Sequence, residues 1–493
     1  MNALTILAVT VPFLGLVPLF LLGPRAGERA GLLMLAVAAG GSLSVGLCVV
    51  RTGQPLVYFS GGIAPPLGIA LRADGFAAAM MGVCAVVLLF TGLYAMRQPG
   101  GAEARMPPAF FMLLLALAGA LNLAFMAQDL FTLYVALELL TFAAVPLVCL
   151  DGKVEQLKAA LTYLLFALFG SVLYLLGAVL IYGLYGTLDI GLVAAALAQN
   201  PPEWTFAVAL ALISAGLMAK AALFPLYLWL PPAHAGAPPA ASVVLSAVVI
   251  KAPLFLLVRT WADLAPDALA VAAAPVLAVC GAGAILFCGV LALAQVRVKL
   301  LIAYSTAAQI GYLGLMFPLA ATGDAYLSAL AWTGGTLHLA SHAFSKAAMF
   351  MAAGLLAETL GHDRLSGLRG AARVAPLSIA AFGIGGLSLM GLPPSGGFVA
   401  KVMLLTSALR QEIWWIALVV LAGGLLAGGY VLRVVVLALQ RAEGEGPQGR
   451  ECRWRAVIAL MLALGAVALG FVPLAPLSFL SIGRHLSLEG LLP

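Results

Sequence analysis

Apolar residues dominate this chain, and polar residues are concentrated in short segments that separate long apolar stretches. Each stretch is roughly 20 residues long, which is enough for a helix to cross the hydrocarbon core of a bilayer. The pattern therefore predicts an all-α polytopic membrane protein of about fourteen transmembrane helices. These helices, called spans 1 to 14, are expected at residues 2–22, 30–50, 74–96, 108–127, 130–150, 159–185, 205–229, 239–260, 268–293, 299–319, 326–356, 374–406, 413–438 and 456–480.

Composition agrees, because 64% of the 493 residues are hydrophobic, 9% are charged and the mean hydropathy is +1.12. A soluble protein of this composition would have too little polar surface to cover itself. No loop is long enough for a soluble domain, so residues 1–493 are expected to form a single transmembrane domain. The first apolar segment lacks a basic region and is too long for a signal peptide, which favours a first span.

The distribution of lysine and arginine over the loops predicts the orientation in the membrane. Loops after odd-numbered spans, called odd loops, hold fifteen of these residues, whereas the other loops and the C-terminal tail hold five. Basic loops stay in the cytoplasm, so we expect a multi-pass protein of the bacterial inner membrane with both termini in the periplasm. The net charge of +6 thus requires no nucleic-acid partner. The residues in the odd loops are Arg25, Arg29, Arg97, Arg105, Lys153, Lys158, Arg297, Lys299, Arg364, Arg369, Arg373, Arg441, Arg450, Arg453 and Arg455. Those in the other loops and the tail are Arg51, Arg72, Arg259, Arg410 and Arg484.

Two spans are expected to be broken. Span 7 contains Lys220 and Pro225 and continues into LWLPPAHAGAPP, and span 12 contains GLPPSGGFVAK. Proline removes a backbone donor, and non-helical backbone at membrane depth persists only inside protein or beside a hydrated cavity. A pair of such breaks is typical of inverted-repeat transporters whose site lies near the midplane. Two ordinary proline kinks are the alternative.

Ionisable side chains inside the apolar spans are the candidate functional residues. At a helix centre a lysine costs roughly 2.5–3.5 kcal/mol, and such residues usually mark paths for ions or protons. The candidates are Glu138, Lys220, Lys251, His338, His342, Lys346 and Lys401.

Glu138 lies in the middle of span 5 and is the only acidic residue predicted deep in the membrane. Lys220 is its candidate partner, because a charge about 7 Å away interacts by roughly 2.4 kcal/mol at an effective dielectric constant near 20. A lysine that moves or changes its charge would switch Glu138 between binding and releasing a proton. A static structural ion pair is the alternative.

Basic residues extend this pattern into later spans. Lys251 lies well inside span 8, where a side chain that reaches up to the interface is the alternative. His338, His342 and Lys346 recur at four-residue intervals, so they form a stripe on one face of span 11. An imidazole accepts a proton at one nitrogen and releases one from the other, which suits a relay. Lys401, just past the break in span 12, completes the row.

The row is predicted to carry protons rather than sodium, because hard cations prefer several oxygen ligands and this interior offers one carboxylate. No cofactor or metal is expected. No glutamate follows His338 to make HExxH, and GAGAILFCG is a helix glycine cluster rather than a dinucleotide-binding turn. A haem- or quinone-binding membrane enzyme that uses His338 and His342 is the alternative from another class.

Taken together, the motifs resemble those of the antiporter-like membrane subunits of respiratory complex I (L, M and N types), Mrp sodium/proton antiporters (A and D types) and membrane-bound hydrogenases. The resemblance covers nearly the whole chain, and no single motif would suffice. It rests on LELLTFAAVPLV, MAKAALFPLYLWLPPAHAGAPPAAS, KLLIAYSTAAQIGYLGL, SHAFSKAAMFMAAG and GLPPSGGFVAK.

The resemblance implies a fourteen-helix core with two inverted five-helix repeats, in which spans 7 and 12 are broken. Spans 1–3 would occupy residues 1–107, the repeats residues 108–260 and 268–438, and span 14 with its tail residues 456–493. The candidate residues match the family's proton-translocating positions. Lys401 departs from the M type, where a glutamate is usual, and the chain lacks the long lateral helix of the L type. It is most similar to the N type or the Mrp D type.

The expected function is that of a proton-translocating subunit in a multisubunit inner-membrane complex, which couples redox chemistry or cation exchange to proton movement. Such a subunit has no catalytic centre or cofactor of its own, even within a translocase such as NADH:quinone oxidoreductase. Expected partners are other membrane subunits, protons, the lipid bilayer, and Na⁺ as an alternative coupling ion. A Na⁺/H⁺ antiporter subunit of the Mrp D type and the membrane subunit of a bicarbonate-uptake complex are further alternatives.

Overall fold

The computed structural model describes residues 3–96, 107–199, 203–442, 447, 449–472 and 478–483. A two-stranded antiparallel hairpin, β1 (Leu56–Phe59) and β2 (Ala70–Ala73), follows the second helix. Two π-helical turns, at Leu245–Val249 and Ala284–Cys288, interrupt spans 8 and 9. The α-helices are α1 Ala3–Leu14, α2 Leu16–Thr52, α3 Gly75–Ala95, α4 Pro108–Met126, α5 Leu130–Val148, α6 Val154–Tyr185, α7 Ile190–Gln199, α8 Trp204–Lys220, α9 Leu230–Gly236, α10 Pro239–Val244, α11 Lys251–Leu264, α12 Asp267–Gly283, α13 Gly289–Ala294, α14 Val298–Ala320, α15 Ala325–Leu360, α16 Ala371–Val374, α17 Pro376–Met390, α18 Gly396–Arg410, α19 Trp414–Leu439, α20 Arg453–Ala468 and α21 Ser478–Ser481.

The predicted all-α fold of about fourteen spans is confirmed, but span 7 continues past its predicted end at residue 229 to Gly236, the end of α9. In the described part of the chain, twelve helical stretches are long and apolar enough to cross a membrane, and the two interrupted spans bring the crossings to fourteen. Spans 1 and 2 meet at Gly23, where a φ of +63° interrupts the long helix α2. Span 14 is shorter than predicted, since its helix ends at Phe471, and residues 473–477 of the predicted span lie outside the described residues. Arg97, Arg105 and Arg484, which contributed to the orientation count, also lie outside them.

Both predicted breaks are present. Residues 221–229 separate α8 from α9 in span 7, and residues 391–395 separate α17 from α18 in span 12. The indole of Trp229 donates to the carbonyl of Ala219 at 2.9 Å, which satisfies one of the acceptors that the end of α8 exposes. The hydroxyl of Ser395 caps the first turn of α18. Side chains therefore compensate for the backbone bonds that the breaks remove.

Three local features were not predicted, namely the hairpin, the short helix α7 and the π-helical turns. The turn at Leu245–Val249 lies directly before Lys251. Single π turns inside helices are frequent at functional sites.

A buried ion pair fixes span 8 to span 3. Nη1 of Arg259 lies 2.6 Å from Oδ2 of Asp74. Nε of the same arginine lies 2.7 Å from Oδ2 of Asp263. Asp74 also caps α3 through the backbone N–H of Ala77. The contact holds α11, which begins with Lys251, against the start of α3.

Glycines allow backbone contact between neighbouring helices. Helices α6 and α8 cross at Gly170 and Gly216, where a Cβ on Gly216 would lie 2.4 Å from the carbonyl oxygen of Gly170. Gly281 of α12 and Gly311 of α14 make a similar contact. Small residues at such crossings let membrane helices approach closely, and the first crossing holds the end of α8 against α6.

Replacing Gly216 by alanine is expected to destabilise the protein by about 1–3 kcal/mol, because the new methyl group would force α6 and α8 apart. Thermal unfolding of the detergent-solubilised protein measures the effect. Gly183→Ala is the matched control on α6, since a Cβ there has nothing within 4 Å. Equal unfolding temperatures for the two variants would contradict the packing described for this crossing.

Candidate functional site

Glu138 and Lys220 form a direct ion pair. Nζ of Lys220 lies 3.0 Å from Oε1 of Glu138 and donates a second hydrogen bond to Oγ1 of Thr141 at 3.1 Å. The hydroxyl of Ser171 on α6 donates to the same carboxylate oxygen. The separation of about 7 Å assumed for the pair was wrong. A Cβ at Gly170 would lie 3.1 Å from Cγ of Lys220, so the glycine makes room for the lysine stem to reach the carboxylate.

Lys251 of α11 and His342 of α15 meet in the interior, where each is at most 2% exposed. Nζ of Lys251 lies 2.6 Å from Nδ1 of His342. The amine and the imidazole share one proton in this bond, because one of the two nitrogens must accept. Nε2 of His342 has no hydrogen-bond partner among the described residues. The imidazole is therefore hydrogen-bonded at Nδ1 and open at Nε2, that is, without a hydrogen-bond partner there among the described residues.

Lys346, one turn further along α15, is fully buried and faces α14. Its Nζ donates to the hydroxyl of Ser305 and to the carbonyl of Ile302, the latter at 3.2 Å. Both acceptors are neutral oxygens. They stabilise an ammonium group less than a carboxylate would, which keeps the neutral amine accessible.

His338, one turn before His342, bonds to α14. Its Nε2 lies 2.9 Å from the carbonyl oxygen of Gln309. Because a carbonyl only accepts, Nε2 carries the proton and Nδ1 is the acceptor, and Nδ1 has no partner in the described part of the chain. The ring centroid lies 4.9 Å from that of Tyr312 and 6.1 Å from that of His342.

Lys401 is buried beside the break in span 12. Its Nζ donates to the carbonyl of Leu389 at 2.5 Å and lies 4.4 Å from the ring centroid of Tyr312. Leu389 belongs to the last turn of α17, where carbonyls have no partner within the helix, so the break supplies the acceptor. Tyr312 thus contacts both His338 and Lys401.

The structure brings the predicted residues together through three sets of contacts. Glu138 contacts Lys220, and Lys251 contacts His342 of the stripe on α15. His338 of the same stripe and Lys401 both contact Tyr312. Glu138 is partly buried and the other six are buried. Three neighbouring residues were missed, namely Ser171, Tyr312 and His234. Tyr312 and His234 lie inside motifs already singled out, so both could have been named as candidates by considering every polar side chain within those motifs. Ser171 offers no signal, because serine is common in membrane helices.

Within the described residues, no group of three or more His, Cys, Asp or Glu side chains is arranged to hold a metal ion. One ring nitrogen of His338 is bonded to Gln309 and one of His342 to Lys251. Both rings are therefore held in place by polar contacts within the chain.

Comparison with known proteins assigns the family. The family model described as NADH:quinone oxidoreductase/Mrp antiporter, TM matches residues 127–427. The N subunit of NADH-quinone oxidoreductase in Desulforudis audaxviator is 35% identical over 459 residues, which cover 88% of each chain. The D subunit of the Na(+)/H(+) antiporter in Alkalihalophilus pseudofirmus is 29% identical, with 89% of this chain and 87% of that protein covered.

A solved structure agrees in fold. A chain of the membrane-bound sulfane sulfur reductase, an archaeal respiratory membrane complex, matches with a TM-score of 0.87 at 26% identity, covering 98% of this chain and 96% of that chain. The region that the family model matches contains every candidate residue from Glu138 to Lys401. The chain therefore belongs to the family of NADH:quinone oxidoreductase and Mrp antiporter membrane subunits, with the N-type and Mrp D-type subunits among its relatives.

Proposed function

We propose that the chain is a proton-translocating subunit of a multisubunit complex in a bacterial inner membrane, and that the seven candidate residues form its proton path. The observation that carries the proposal is the 2.6 Å contact of Lys251 with His342, in which two bases on different spans share one proton. Strongly coupled bases exchange such a proton when a neighbouring charge changes. The relatives named as subunits of NADH-quinone oxidoreductase and of a Na(+)/H(+) antiporter support a place in a larger complex.

His342 is the relay at the centre of this path. A proton accepted at Nδ1 from Lys251 releases the proton on Nε2, which is open. His338 offers an open acceptor at Nδ1, and the 6.1 Å between the two ring centroids is a gap that one water molecule can bridge. The ring of Tyr312 contacts both His338 and Lys401, which lies at the far end of the row. Because the hydroxyl of Tyr312 donates to the carbonyl of Val420, transfer of a proton from His338 to Lys401 requires water beside this ring.

Glu138 and Lys220 would bias the row from its other end. While the pair is closed, the carboxylate compensates the charge of Lys220. Opening the pair exposes that charge to Lys251, and repulsion between two ammonium groups favours release of a proton from Lys251. Since Lys220 is bonded to Glu138 and Thr141, transfer toward Lys251 requires water between the two lysines.

We also infer the orientation and the internal repeats. The excess of lysine and arginine in the odd loops supports cytoplasmic odd loops and periplasmic termini. The break in the fourth span of each five-span set, at residues 221–229 and 391–395, supports two inverted repeats at 108–260 and 268–438.

Proton uptake into lipid vesicles that contain the purified complex tests the proposal. A potassium gradient with valinomycin sets the membrane potential, and a trapped pH dye reports the flux. Lys346→Met is expected to lower the flux by about a hundredfold, because removing a proton-transfer group typically costs on the order of 10²–10⁴ in rate. Lys153→Met, which alters an exposed lysine, is the control. Unchanged uptake by Lys346→Met would contradict the assigned path.

Na⁺/H⁺ exchange is the second candidate, and the relative named as part of a Na(+)/H(+) antiporter favours it. The same vesicles distinguish the two. Proton movement that follows an imposed Na⁺ gradient, with no electron donor present, supports exchange. Proton movement that requires an electron donor and ignores Na⁺ supports redox coupling.

A further inference from the structure

His234 is a buried histidine that the proposed path does not use. It lies on α9, the second half of span 7, and is 0% exposed. Neither of its ring nitrogens has a hydrogen-bond partner in the described part of the chain. A neutral imidazole carries one donor and one acceptor, and leaving both unpaired in the interior is costly. Unsatisfied buried groups are rare enough to indicate water or a functional role.

Neighbouring contacts place His234 between Lys346 and one face of the membrane. Its ring stacks on that of Phe350, with centroids 4.6 Å apart and an interplanar angle of 18°. Phe350 lies one turn beyond Lys346 along α15, toward the odd loop after span 11. His234 therefore lies roughly one helical turn, about 5.4 Å, nearer the odd-loop side than Lys346.

Polar side chains cover the end of α9 just beyond His234. Nε2 of Gln156 donates to the carbonyl of Gly236 at 2.8 Å and to Oδ2 of Asp151 at 3.0 Å. Nζ of Lys299 donates to the carbonyl of Ala237 at 3.2 Å. These side chains come from the odd loops after spans 5 and 9 and from the helix starts that follow them. A polar cap thus covers the end of α9 on the odd-loop side, two residues beyond His234.

Two lysines lie on the helices beside His234. Lys346 lies on α15, one turn before Phe350, and Lys299 lies at the start of α14, where it bonds to the carbonyl of Ala237. The carboxylate of Asp151 accepts a hydrogen bond from Gln156, which belongs to the cap. The hydroxyl of Ser242 on α10 donates to the backbone carbonyl of His234 at 3.4 Å. The imidazole lies between an inner amine of the path and the polar cap at the surface.

We propose that His234 is a further proton-carrying residue, through which protons pass between the odd-loop side and Lys346. The inference rests on the proposed function and adds the place where protons join the path. A hydronium ion at the cap protonates one nitrogen of the neutral ring and leaves water. The other nitrogen then releases its proton through water to the neutral amine of Lys346, which becomes ammonium.

Two substitutions separate this role from packing. His234→Phe keeps the ring against Phe350 and removes both nitrogens, whereas His234→Gln keeps a donor and an acceptor but cannot take up a proton. Inside-out membrane vesicles that contain the complex place the proposed cytoplasmic side outward, where its pH can be varied. Proton uptake under an imposed potential is measured over a range of outside pH, together with the amount of assembled complex.

Both variants are expected to lower uptake by about tenfold or more, the low end for loss of a proton-transfer group that water can partly bypass. The deficit should grow as the outside pH rises, because protons then become scarce at the cap. A structural defect would instead lower uptake equally at every pH. His362→Phe, in the odd loop after span 11 and exposed, is the control and should behave as wild type.

Wild-type uptake by both variants, with Lys346→Met inactive, would overturn the role of His234 and leave the proposed function standing. Full uptake by His234→Gln would also overturn it, and this variant decides the matter if His234→Phe does not assemble. A deficit that does not depend on the outside pH would assign His234 to structure. Absence of uptake in the wild type would overturn the proposed function and this inference together.

Discussion

Lys251→Met is expected to stop proton movement through the complex, lowering the flux by about a hundredfold or more. Methionine occupies a similar volume but has no nitrogen to share a proton with His342, so the contact that connects spans 8 and 11 is lost. The variant should still assemble, because replacing a buried charge by an apolar side chain of similar size is often neutral or stabilising. Flux into vesicles and the yield of assembled complex measure the two effects separately.

Lys158→Met is the matched control for this variant, since Lys158 is exposed near the start of α6. It removes the same charge from the odd-loop surface and should leave the flux unchanged. Near-normal flux in Lys251→Met would mean that the Lys251–His342 contact is not on the proton path.

Glu138→Ala and Lys220→Ala are each expected to abolish coupled proton movement. The paired charges lie 3.0 Å apart and interact by roughly 5.5 kcal/mol at an effective dielectric constant near 20. Removing one partner leaves the other uncompensated, which typically destabilises a protein by about 3–5 kcal/mol. Each single variant is therefore expected to lose stability as well as flux.

The double variant Glu138→Gln with Lys220→Met separates these two effects. It leaves neither charge uncompensated, so the thermal stability of the complex should largely return. Proton flux should stay absent, because both titratable groups are gone. Restored flux in the double variant would show that the pair is only structural.

Most of the fold could be predicted from the sequence, because burial in lipid demands long apolar helices and leaves few other solutions. The break in span 12 could be predicted from its prolines, since Pro393 and Pro394 lack the backbone N–H that a continuing helix needs. The hairpin after span 2 and the end of span 14 could not. The hairpin lies in a segment without a long apolar run, where pairing between the two strands decides the structure. The sequence VPLAPLSFL after Phe471 stays apolar, so hydropathy does not indicate where the helix of span 14 ends.

The residues of the site could be named from the sequence, but their distances could not. Helix periodicity places His338, His342 and Lys346 on one face, yet it gives no information on which helix they meet. The contact of Lys251 with His342 depends on how span 8 packs against span 11. The Glu138–Lys220 distance depends on a glycine crossing of α6 and α8. Tertiary packing sets both.

The positions of ordered water in the intact complex, determined by high-resolution electron cryomicroscopy, give the most direct test that protons pass between these buried groups. We expect water molecules between Lys220 and Lys251, and between Nε2 of His342 and Nδ1 of His338. Dry apolar packing in both gaps, in resting and in energised complexes alike, would contradict proton conduction along the row.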